Sequence, residues 1–192
     1  NVELPGGYPG SVAWGDYDND GDLDLAITAG GGNPFSKIYR NDNGIFTDIN
    51  AGLTGFFRAS IAWGDYDNDG DLDLALTSDY GSSIYRNNNG VFQDINAGLS
   101  AGASGAWGDY DNDGDLDLAL PGRIYRNDKG VFTELSSGLP RASEGSVSWG
   151  DYDNDGDLDL ALSGFLSNAG YIYVSRIYRN NNGAFTDINA GL

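Results

Sequence analysis

The sequence predicts an all-β fold made of four four-stranded antiparallel blades. A 13-residue segment, Trp14–Ala26, returns letter for letter at Trp63–Ala75, Trp107–Ala119 and Trp149–Ala161. The tryptophans that open the four copies lie 49, 44 and 42 residues apart, a period typical of propeller blades rather than of short solenoid coils. Short apolar segments with turn residues between them follow each copy, and helical periodicity is absent from the sequence. Together these observations predict a β-propeller.

The first repeat shows the elements of one blade. The first strand is predicted over Ser11–Trp14 and leads directly into an acidic loop. Residues Leu23–Thr28 alternate with a period of two and form the second strand. The third strand is Lys37–Asn41, and the dipeptide Asn43-Gly44 predicts a tight hairpin into the fourth strand at Ile45–Asn50.

The other repeats follow the same plan, which places blades at about residues 11–50, 60–96, 104–136 and 146–189 of a single domain over 1–192. Each four-stranded meander has two faces to bury, so the blades are expected to pack face to face around an axis. Closure of four blades within one chain is the favoured arrangement. Half of an eight-bladed propeller formed by two chains is the alternative, so the protein is predicted to be a monomer or a homodimer.

The repeated segment carries five aspartates at alternate positions, which would repel one another strongly without a cation among them. Closely spaced oxygen ligands around a turn glycine suit a hard cation such as Ca²⁺, and Mg²⁺ would prefer fewer protein ligands and more water. Four calcium ions, one per repeat, are therefore predicted. The candidate ligands are Asp16, Asp18, Asp20, Asp22, Asp24, Asp65, Asp67, Asp69, Asp71, Asp73, Asp109, Asp111, Asp113, Asp115, Asp117, Asp151, Asp153, Asp155, Asp157 and Asp159.

The spacing within the loop assigns a role to each ligand. The start, Asp-x-Asp-x-Asp-Gly, matches the first six positions of an EF-hand loop, but the glutamate that an EF-hand needs at position twelve is replaced by isoleucine or leucine. By analogy, the first three aspartates of each loop are expected to ligate through their carboxylates. The fourth would offer its backbone carbonyl and the fifth its carboxylate. The alternative is an acidic, solvated turn that binds no ion.

Charge and composition exclude several classes of function. The four loops contribute 20 of the 29 acidic residues, and the net charge of −19 argues against nucleic acid as a partner. Apolar segments are too short for membrane insertion. Cysteine and histidine are both absent, which removes thiol nucleophiles, the usual zinc sites and Ser-His-Asp catalysis. Calcium-dependent folding favours an extracellular or cell-surface location.

The connections divide into two groups. In a four-stranded meander the acidic loops and the third-to-fourth-strand hairpins lie at one end, and they barely differ among the repeats. The connections at the other end differ greatly in length and composition, which is the usual layout of a binding scaffold. The candidate ligand-binding residues are on this variable side: Tyr8, Phe56, Phe57, Arg58, Arg141, Glu144, Tyr171 and Tyr173. A glycan or a protein is the predicted ligand.

Several residues recur once per repeat. The tryptophans Trp14, Trp63, Trp107 and Trp149 are predicted to fill the wedge between blades, although stacking on a sugar is an alternative. The third-strand tyrosines are predicted to be core residues, and the arginines Arg40, Arg86, Arg126 and Arg179 to be counter-charges for the acidic loops. The acidic residues outside the loops form no recognisable catalytic pair, so the protein is predicted not to be an enzyme.

The repeats resemble the FG-GAP/VCBS repeats of integrin-α-like β-propellers, and Val12-Ala13-Trp14-Gly15-Asp16 through Leu25 carries the match. This resemblance implies a propeller with one calcium ion per blade in an extracellular protein that adheres to proteins or binds glycans, as in some lectins. The family usually has seven blades, whereas this chain has four. A non-enzymatic binding or adhesion module is therefore the leading hypothesis. A polysaccharide-active enzyme or its accessory domain, and a structural repeat scaffold of natural or engineered origin, are the alternatives.

Overall fold

The computed structural model describes residues 4–166 and 172–192, which contain sixteen β-strands and no helix. Among these residues, no helix has the length and apolar character that crossing a membrane requires. In chain order the strands are β1 (Gly10–Gly15), β2 (Asp24–Ala29), β3 (Phe35–Asp42), β4 (Ile45–Asp48), β5 (Ser60–Gly64), β6 (Asp73–Ser78), β7 (Gly81–Asn88), β8 (Val91–Asp94), β9 (Ala106–Gly108), β10 (Asp117–Leu120), β11 (Arg123–Asp128), β12 (Val131–Glu134), β13 (Ser143–Gly150), β14 (Asp159–Leu166), β15 (Ile172–Asn181) and β16 (Ala184–Asp187).

The strands form four antiparallel sheets of four, each built from consecutive strands in the order of the sequence. The all-β fold and its four blades are thereby confirmed. The chain divides into two compact units, residues 1–101 with the first two blades and residues 102–192 with the last two. Closure of the blades into one ring stays a prediction.

The turns follow from residues that tolerate a positive φ. In the first blade Asn43 and Gly44 have φ values of 52° and 88°, which is the backbone of the two-residue hairpin predicted from the Asn-Gly dipeptide. The third blade uses Lys129 and Gly130 at 51° and 87°. Lysine rarely adopts this conformation, so the hairpin geometry is kept there in spite of the residue at its first position.

Each unit has its own apolar core. In the first unit Leu74, Leu76 and Tyr85 of the second blade pack with Ile38 and Tyr17 of the first blade. In the second unit Leu160, Leu162 and Tyr178 of the fourth blade pack with Ile124 and Tyr110 of the third blade. The predicted core tyrosines of the third strands, Tyr39, Tyr85, Tyr125 and Tyr178, are all buried.

The tryptophans are not equivalent. Trp63 and Trp149 fill the joint between two blades, and each stacks on the motif tyrosine of the preceding blade, Tyr17 or Tyr110, with interplanar angles of 12° and 10°. Trp107 is partly buried. For Trp14 the prediction of a core residue is wrong, because this side chain is 56% exposed.

The long connection of the fourth blade extends its sheet. Gly164, Phe165 and Leu166 pair with Val174, Tyr173 and Ile172, so β14 and β15 continue as a strand pair into this connection. Tyr171, a candidate ligand-binding residue, lies outside the described residues.

Candidate functional site

Three aspartates of every repeat come together at the start and end of the acidic loop. In the first repeat these are Asp16, Asp18 and Asp24, whose nearest carboxylate oxygens all lie within 4.8 Å of one another. The equivalent triads are Asp65, Asp67 and Asp73; Asp109, Asp111 and Asp117; and Asp151, Asp153 and Asp159. The alternating spacing of the sequence therefore converges on four groups of carboxylates, each of which could hold a cation.

The first aspartate organises the loop. Both oxygens of the Asp16 carboxylate accept backbone hydrogen bonds, from the N–H groups of Asp20 at 3.1 Å and Gly21 at 3.0 Å. Asn19 and Gly21 have φ values of 59° and 95°, and these left-handed residues turn the chain back toward Asp24. The same two bonds recur in the other three repeats.

The fifth aspartate anchors the loop to the sheet. Asp24 is fully buried at the start of β2 and accepts N–H bonds from Tyr17 at 3.1 Å and from Asn41 of β3 at 2.8 Å. Asp73 makes the same pair of bonds with Tyr66 and Asn87. Each carboxylate thus joins the acidic loop, the second strand and the third strand.

The second aspartate supplies the test of whether a cation fits. One oxygen of this residue, Oδ1 of Asp18, Asp67 or Asp111, is buried without a hydrogen-bond partner in the described part of the chain. A buried carboxylate oxygen without a donor is costly unless a cation contacts it. The triads offer only carboxylate oxygens, and oxygen atoms are the ligands that a hard cation such as Ca²⁺ prefers. The residues present therefore fit Ca²⁺.

Burial changes the acidity of these groups. Removal from water raises the pKa of Asp73 and of Asp117 to about 7, against the lowering effect of the two backbone N–H bonds that each accepts. Burial also raises the pKa of Asp18, Asp67 and Asp111, and the neighbouring loop carboxylates add to this. In the absence of a cation Asp73 and Asp117 therefore retain protons at a pH where ordinary carboxyl groups are ionised.

We expect the metal-stripped protein to lose stability as the pH rises from about 4 to about 7, through the raised pKa values of Asp73 and Asp117. The unfolded chain releases the proton of an aspartate near pH 4, whereas folded Asp73 and Asp117 hold it to about pH 7, so the native state binds more protons across this range. Calcium held by these carboxylates would displace their protons, so a stabilisation by calcium should grow over the same range. Thermal unfolding at several pH values, with and without calcium, measures both trends. The Asp73→Asn variant should show a shallower metal-free slope, and a metal-free stability that is constant or rises with pH would contradict the expectation.

The third and fourth aspartates bind parts of the protein. In the second repeat Asp69 accepts the N–H of Asp71 at 3.1 Å and the guanidinium of Arg86 at 3.1 Å. Asp71 accepts the N–H of Asn89 in the β7–β8 hairpin at 3.3 Å, and the side chain of Asn19 from the neighbouring loop at 3.1 Å. These contacts give both residues structural roles that the sequence did not indicate. The five-residue ligand set stays a prediction.

The predicted arginine counter-charges are found in three repeats. Arg86 contacts Asp67 at 2.9 Å and Asp69 at 3.1 Å. Arg126 and Arg179 make the equivalent ion pairs in the third and fourth repeats. In the first repeat Arg40 pairs with Asp42 at 2.8 Å, so the ion pair there is made with the third strand.

The asparagine that ends each Ile-Tyr-Arg-Asn segment has a role that the sequence did not reveal. Asn87 is fully buried and donates to the carbonyl oxygens of Leu72 at 3.2 Å and of Tyr17 in the preceding blade at 2.8 Å. Its own Oδ1 accepts the N–H of Gly90 at 2.7 Å. The only signal for this role in the sequence is that the asparagine is repeated in all four blades.

The variable connections of the first unit bring aromatic residues together. Phe56 turns into the core, whereas Phe57 contacts the ring of Tyr80 edge to face, with centroids 5.7 Å apart. The guanidinium carbon of Arg58 lies over the Phe57 ring, 5.6 Å from its centroid. A Cβ atom on Gly30 would lie 2.9 Å from the Phe57 ring and 3.1 Å from the carbonyl oxygen of Pro9. The β2–β3 connection is therefore in close contact both with the β4–β5 connection and with the segment that contains Tyr8 and Pro9.

We call Tyr8, Phe57 and Tyr80 the aromatic surface. Tyr8 is 88% exposed and Tyr80 is 69% exposed. Tyr80 was not among the predicted ligand-binding residues. Its position as an aromatic residue in a short connection that differs among the repeats was the signal that could have identified it. The acidic loops connect β1 to β2 and β5 to β6, and these aromatic residues precede β1 and β5 or follow β6, so they lie at the opposite ends of the strands.

The candidate ligand residues of the second unit are more separate. Arg141 forms an ion pair with Glu134 at 3.2 Å, and Glu134 also pairs with Arg123. Glu144 is exposed, with a φ of 47°. Tyr173 is 85% exposed and lies 6.4 Å from the ring of Phe165 on the extended hairpin.

Three acidic residues outside the loops, on the fourth strands of their blades, pair with cations of the third strands. Asp48 pairs with Lys37 at 2.7 Å, and its pKa is lowered, with the hydrogen bond from Lys37 the main lowering influence. Glu134 and Asp187 make the same kind of pair with Arg123 and Arg176. These carboxylates are therefore placed as partners of cations within the blades.

Four-stranded blades, each opened by an acidic loop that gathers three carboxylates, define a repeat protein of the β-propeller type. The model of the FG-GAP-like repeat family matches residues 16–76 and 65–120, which together are more than half of the chain. The chain therefore belongs to the FG-GAP repeat family. No curated protein matches it significantly.

Solved structures show the same fold at low sequence identity. A lectin from Agrocybe aegerita, described for its specific recognition of non-reducing terminal N-acetylglucosamine, has a TM-score of 0.60 and 19% identity, over 92% of this chain and 51% of the lectin chain. The V. cholerae biofilm matrix protein Bap1 has a TM-score of 0.57 and 20% identity, over 93% of this chain and 28% of the other. This chain thus spans half or less of the proteins that it matches.

Proposed function

We propose that the protein is a calcium-stabilised, extracellular binding module that holds a glycan or a protein on the surface opposite its acidic loops. The observation that carries this proposal is the separation of the two kinds of site. Carboxylate triads lie at one end of the strands, and the exposed aromatic surface lies at the other. The FG-GAP family and the lectin and matrix-protein folds support a binding role and an extracellular location.

The proposed calcium site uses the first, second and fifth aspartates of each loop. In the first three repeats, bound calcium would contact the buried second-aspartate oxygen that has no donor among the described residues. In all four repeats it would neutralise three carboxylates at the entry to the second strand. It would thereby fix the turn between the first two strands of the blade. In this role the metal would supply positive charge and coordination. The third aspartate would not be a ligand, because in the second repeat it accepts bonds from a backbone N–H and from Arg86.

A matched pair of substitutions in one loop tests this ligand set. We expect Asp67→Asn to weaken calcium binding at that loop by at least about tenfold, because it removes the carboxylate whose Oδ1 is buried without a donor. Asp69→Asn should weaken it by less than about threefold, because Asp69 is held by Arg86 and a backbone N–H. Competition with a chromophoric calcium chelator measures both affinities. Equal losses in the two variants would favour direct ligation by the third aspartate.

The aromatic surface is proposed to bind the ligand by stacking. Exposed tyrosine rings offer flat apolar faces to the C–H faces of a sugar ring, and a hydroxyl group at the rim. Arg58 lies at the edge of this surface, where it could donate to sugar hydroxyl or protein carbonyl oxygens. The net charge of −19 disfavours acidic polysaccharides, so neutral glycans are the better candidates.

A glycan array that contains N-acetylglucosamine-terminated and other neutral glycans tests the proposal. We expect binding of a neutral glycan by the wild-type protein, and a loss of about tenfold or more in the Tyr80→Ser variant, because one stacking face is removed. Tyr173→Ser is the matched control, since it removes from the other unit a tyrosine that is 85% exposed, against 69% for Tyr80. Equal binding by wild type and Tyr80→Ser, or an array without any bound neutral glycan, would contradict glycan recognition by this surface.

A further inference from the structure

The joints between blades repeat the same contacts inside both units. In the first unit the Trp63 ring stacks on Tyr17 of the preceding blade, and its Nε1 donates to the carbonyl oxygen of Ala13 at 3.3 Å. In the second unit Trp149 stacks on Tyr110 and donates to Ala106 at 3.1 Å. A joint therefore has a donor half, the tryptophan of the following blade, and an acceptor half on the preceding blade.

A glycine makes room for the tryptophan in the acceptor half. A Cβ atom on Gly15 would lie 2.8 Å from the ring of Trp63, and one on Gly108 would lie 2.6 Å from the ring of Trp149. Any larger side chain at these positions would displace the indole. Glycine at this point of the motif is thus a requirement of the joint.

In the fourth blade the acceptor half of a joint has no tryptophan packed against it among the described residues. A Cβ atom on Gly150 would meet no described atom within 4 Å, and Tyr152, the counterpart of buried Tyr17 and Tyr110, is 46% exposed. An open cavity of about 200 Å³ lies here, lined in part by Gly150, Tyr152 and Ala161. The alanine equivalent to Ala161 is fully buried in each of the other three blades.

In the first blade the donor half of a joint is exposed as well. Trp14 is 56% exposed and Val12, two residues earlier on the same face of β1, is 64% exposed. Asn41 occupies the position from which Asn87 and Asn180 reach a tyrosine carbonyl of the preceding blade. The first blade therefore carries an exposed donor half, and the fourth blade carries an exposed acceptor half.

We propose that Trp14 of a second copy of this chain occupies the cradle formed by Gly150, Tyr152 and Ala161, so that two chains associate head to tail. The indole would stack on Tyr152 and donate to the carbonyl oxygen of Ser148, the counterpart of Ala13 and Ala106. Asn41 of the second copy would donate to the carbonyl oxygen of Tyr152. Each joint is made between unlike surfaces, the donor half of one chain and the acceptor half of the other. Trp14 of each chain would occupy the cradle of its partner, so the complete interface of the pair is reciprocal.

Two substitutions test the joint from its two sides. The wild-type protein in calcium is expected to have the mass of a dimer by light scattering after size exclusion. Trp14→Ser removes the donor half and Gly150→Val fills the acceptor half. Each is expected to weaken association by about 30-fold or more, as the loss of a central aromatic anchor does. Trp14 is exposed and a Cβ atom on Gly150 meets no described atom, so each variant should keep the far-UV circular dichroism spectrum of the wild-type protein in calcium, which shows that the blades are folded. Tyr80→Ser, which removes an exposed aromatic residue elsewhere, should leave the dimer intact.

Mixing the two variants gives the decisive measurement. The Gly150→Val chain still carries Trp14, and the Trp14→Ser chain still carries an open cradle, so an equimolar mixture should form a mixed dimer through one intact joint. A contact between two identical faces would not be restored in this way. A wild-type monomer, a dimer that survives Trp14→Ser, or a mixture that stays monomeric would each overturn the proposal.

Discussion

Removal of calcium is expected to lower the midpoint of thermal unfolding by roughly 20 °C or more. A ligand that binds only the native state at about 100 times its dissociation constant contributes about 2.7 kcal/mol per site, and the four triads together would contribute about 11 kcal/mol. For a chain of this size each kcal/mol shifts the midpoint by about 2–4 °C. The shift should be large because the metal-free triads hold buried carboxylates close together.

Thermal scans of one preparation, stripped of metal and then restored with calcium, measure this shift. Magnesium at the same concentration is the control and should restore only a small part, because it resists the loss of its water ligands. Equal midpoints with and without calcium would mean that the acidic loops are stable as solvated turns, which was the alternative for these segments.

Asn87→Ala is expected to destabilise the protein by about 3–4 kcal/mol. The substitution leaves the carbonyl oxygens of Tyr17 and Leu72 and the N–H of Gly90 without the partner that they have in the native protein. Each buried polar group that loses its partner costs about 1–3 kcal/mol, and the Tyr17 bond also links two blades.

The repeats provide a matched control for this variant. Asn41 holds the same position in the first blade, where it donates to Leu23 at 2.9 Å and accepts from Gly44 at 2.7 Å, but it is only half-buried. In a chain that also carries Gly150→Val, where the proposed joint with a second copy cannot form, water can replace its bonds, so Asn41→Ala should cost only about 1 kcal/mol. Urea or thermal unfolding of both variants measures the difference. Equal losses would show that the bond between the two blades adds nothing.

Most of the fold could be predicted because its signals are local and repeated. The alternation of Leu23, Leu25 and Ile27, the Asn-Gly turns and the period of the tryptophans each point to a short strand or a tight connection. The four sheets and their strand order follow from these signals. The end of each strand depends on partner strands, and β3 and β15 are longer than predicted for that reason.

The site was predicted less completely, since identical residues acquire different surroundings in the folded chain. All five aspartates of a loop were predicted ligands, the fourth through its backbone carbonyl. The triads bring together the first, second and fifth, whereas in the second repeat the third accepts bonds from a backbone N–H and Arg86 and the fourth accepts the N–H of Asn89. Trp14 and Trp63 have the same local sequence, yet one is exposed and the other fills a joint. Only the presence of a preceding blade distinguishes them, and no local pattern records it.

The contact between neighbouring acidic loops has a consequence for how they fill with ions. Asn19 stands between two loop carboxylates of the first repeat, and its side chain donates to Gly70 and Asp71 of the next loop. An ion that orders one loop therefore restrains the other loop before it binds an ion of its own. Binding of the second ion then loses less conformational entropy than binding of the first. Thermodynamic linkage makes this effect reciprocal, and calcium titrations of such a pair should be cooperative, with a Hill coefficient above one.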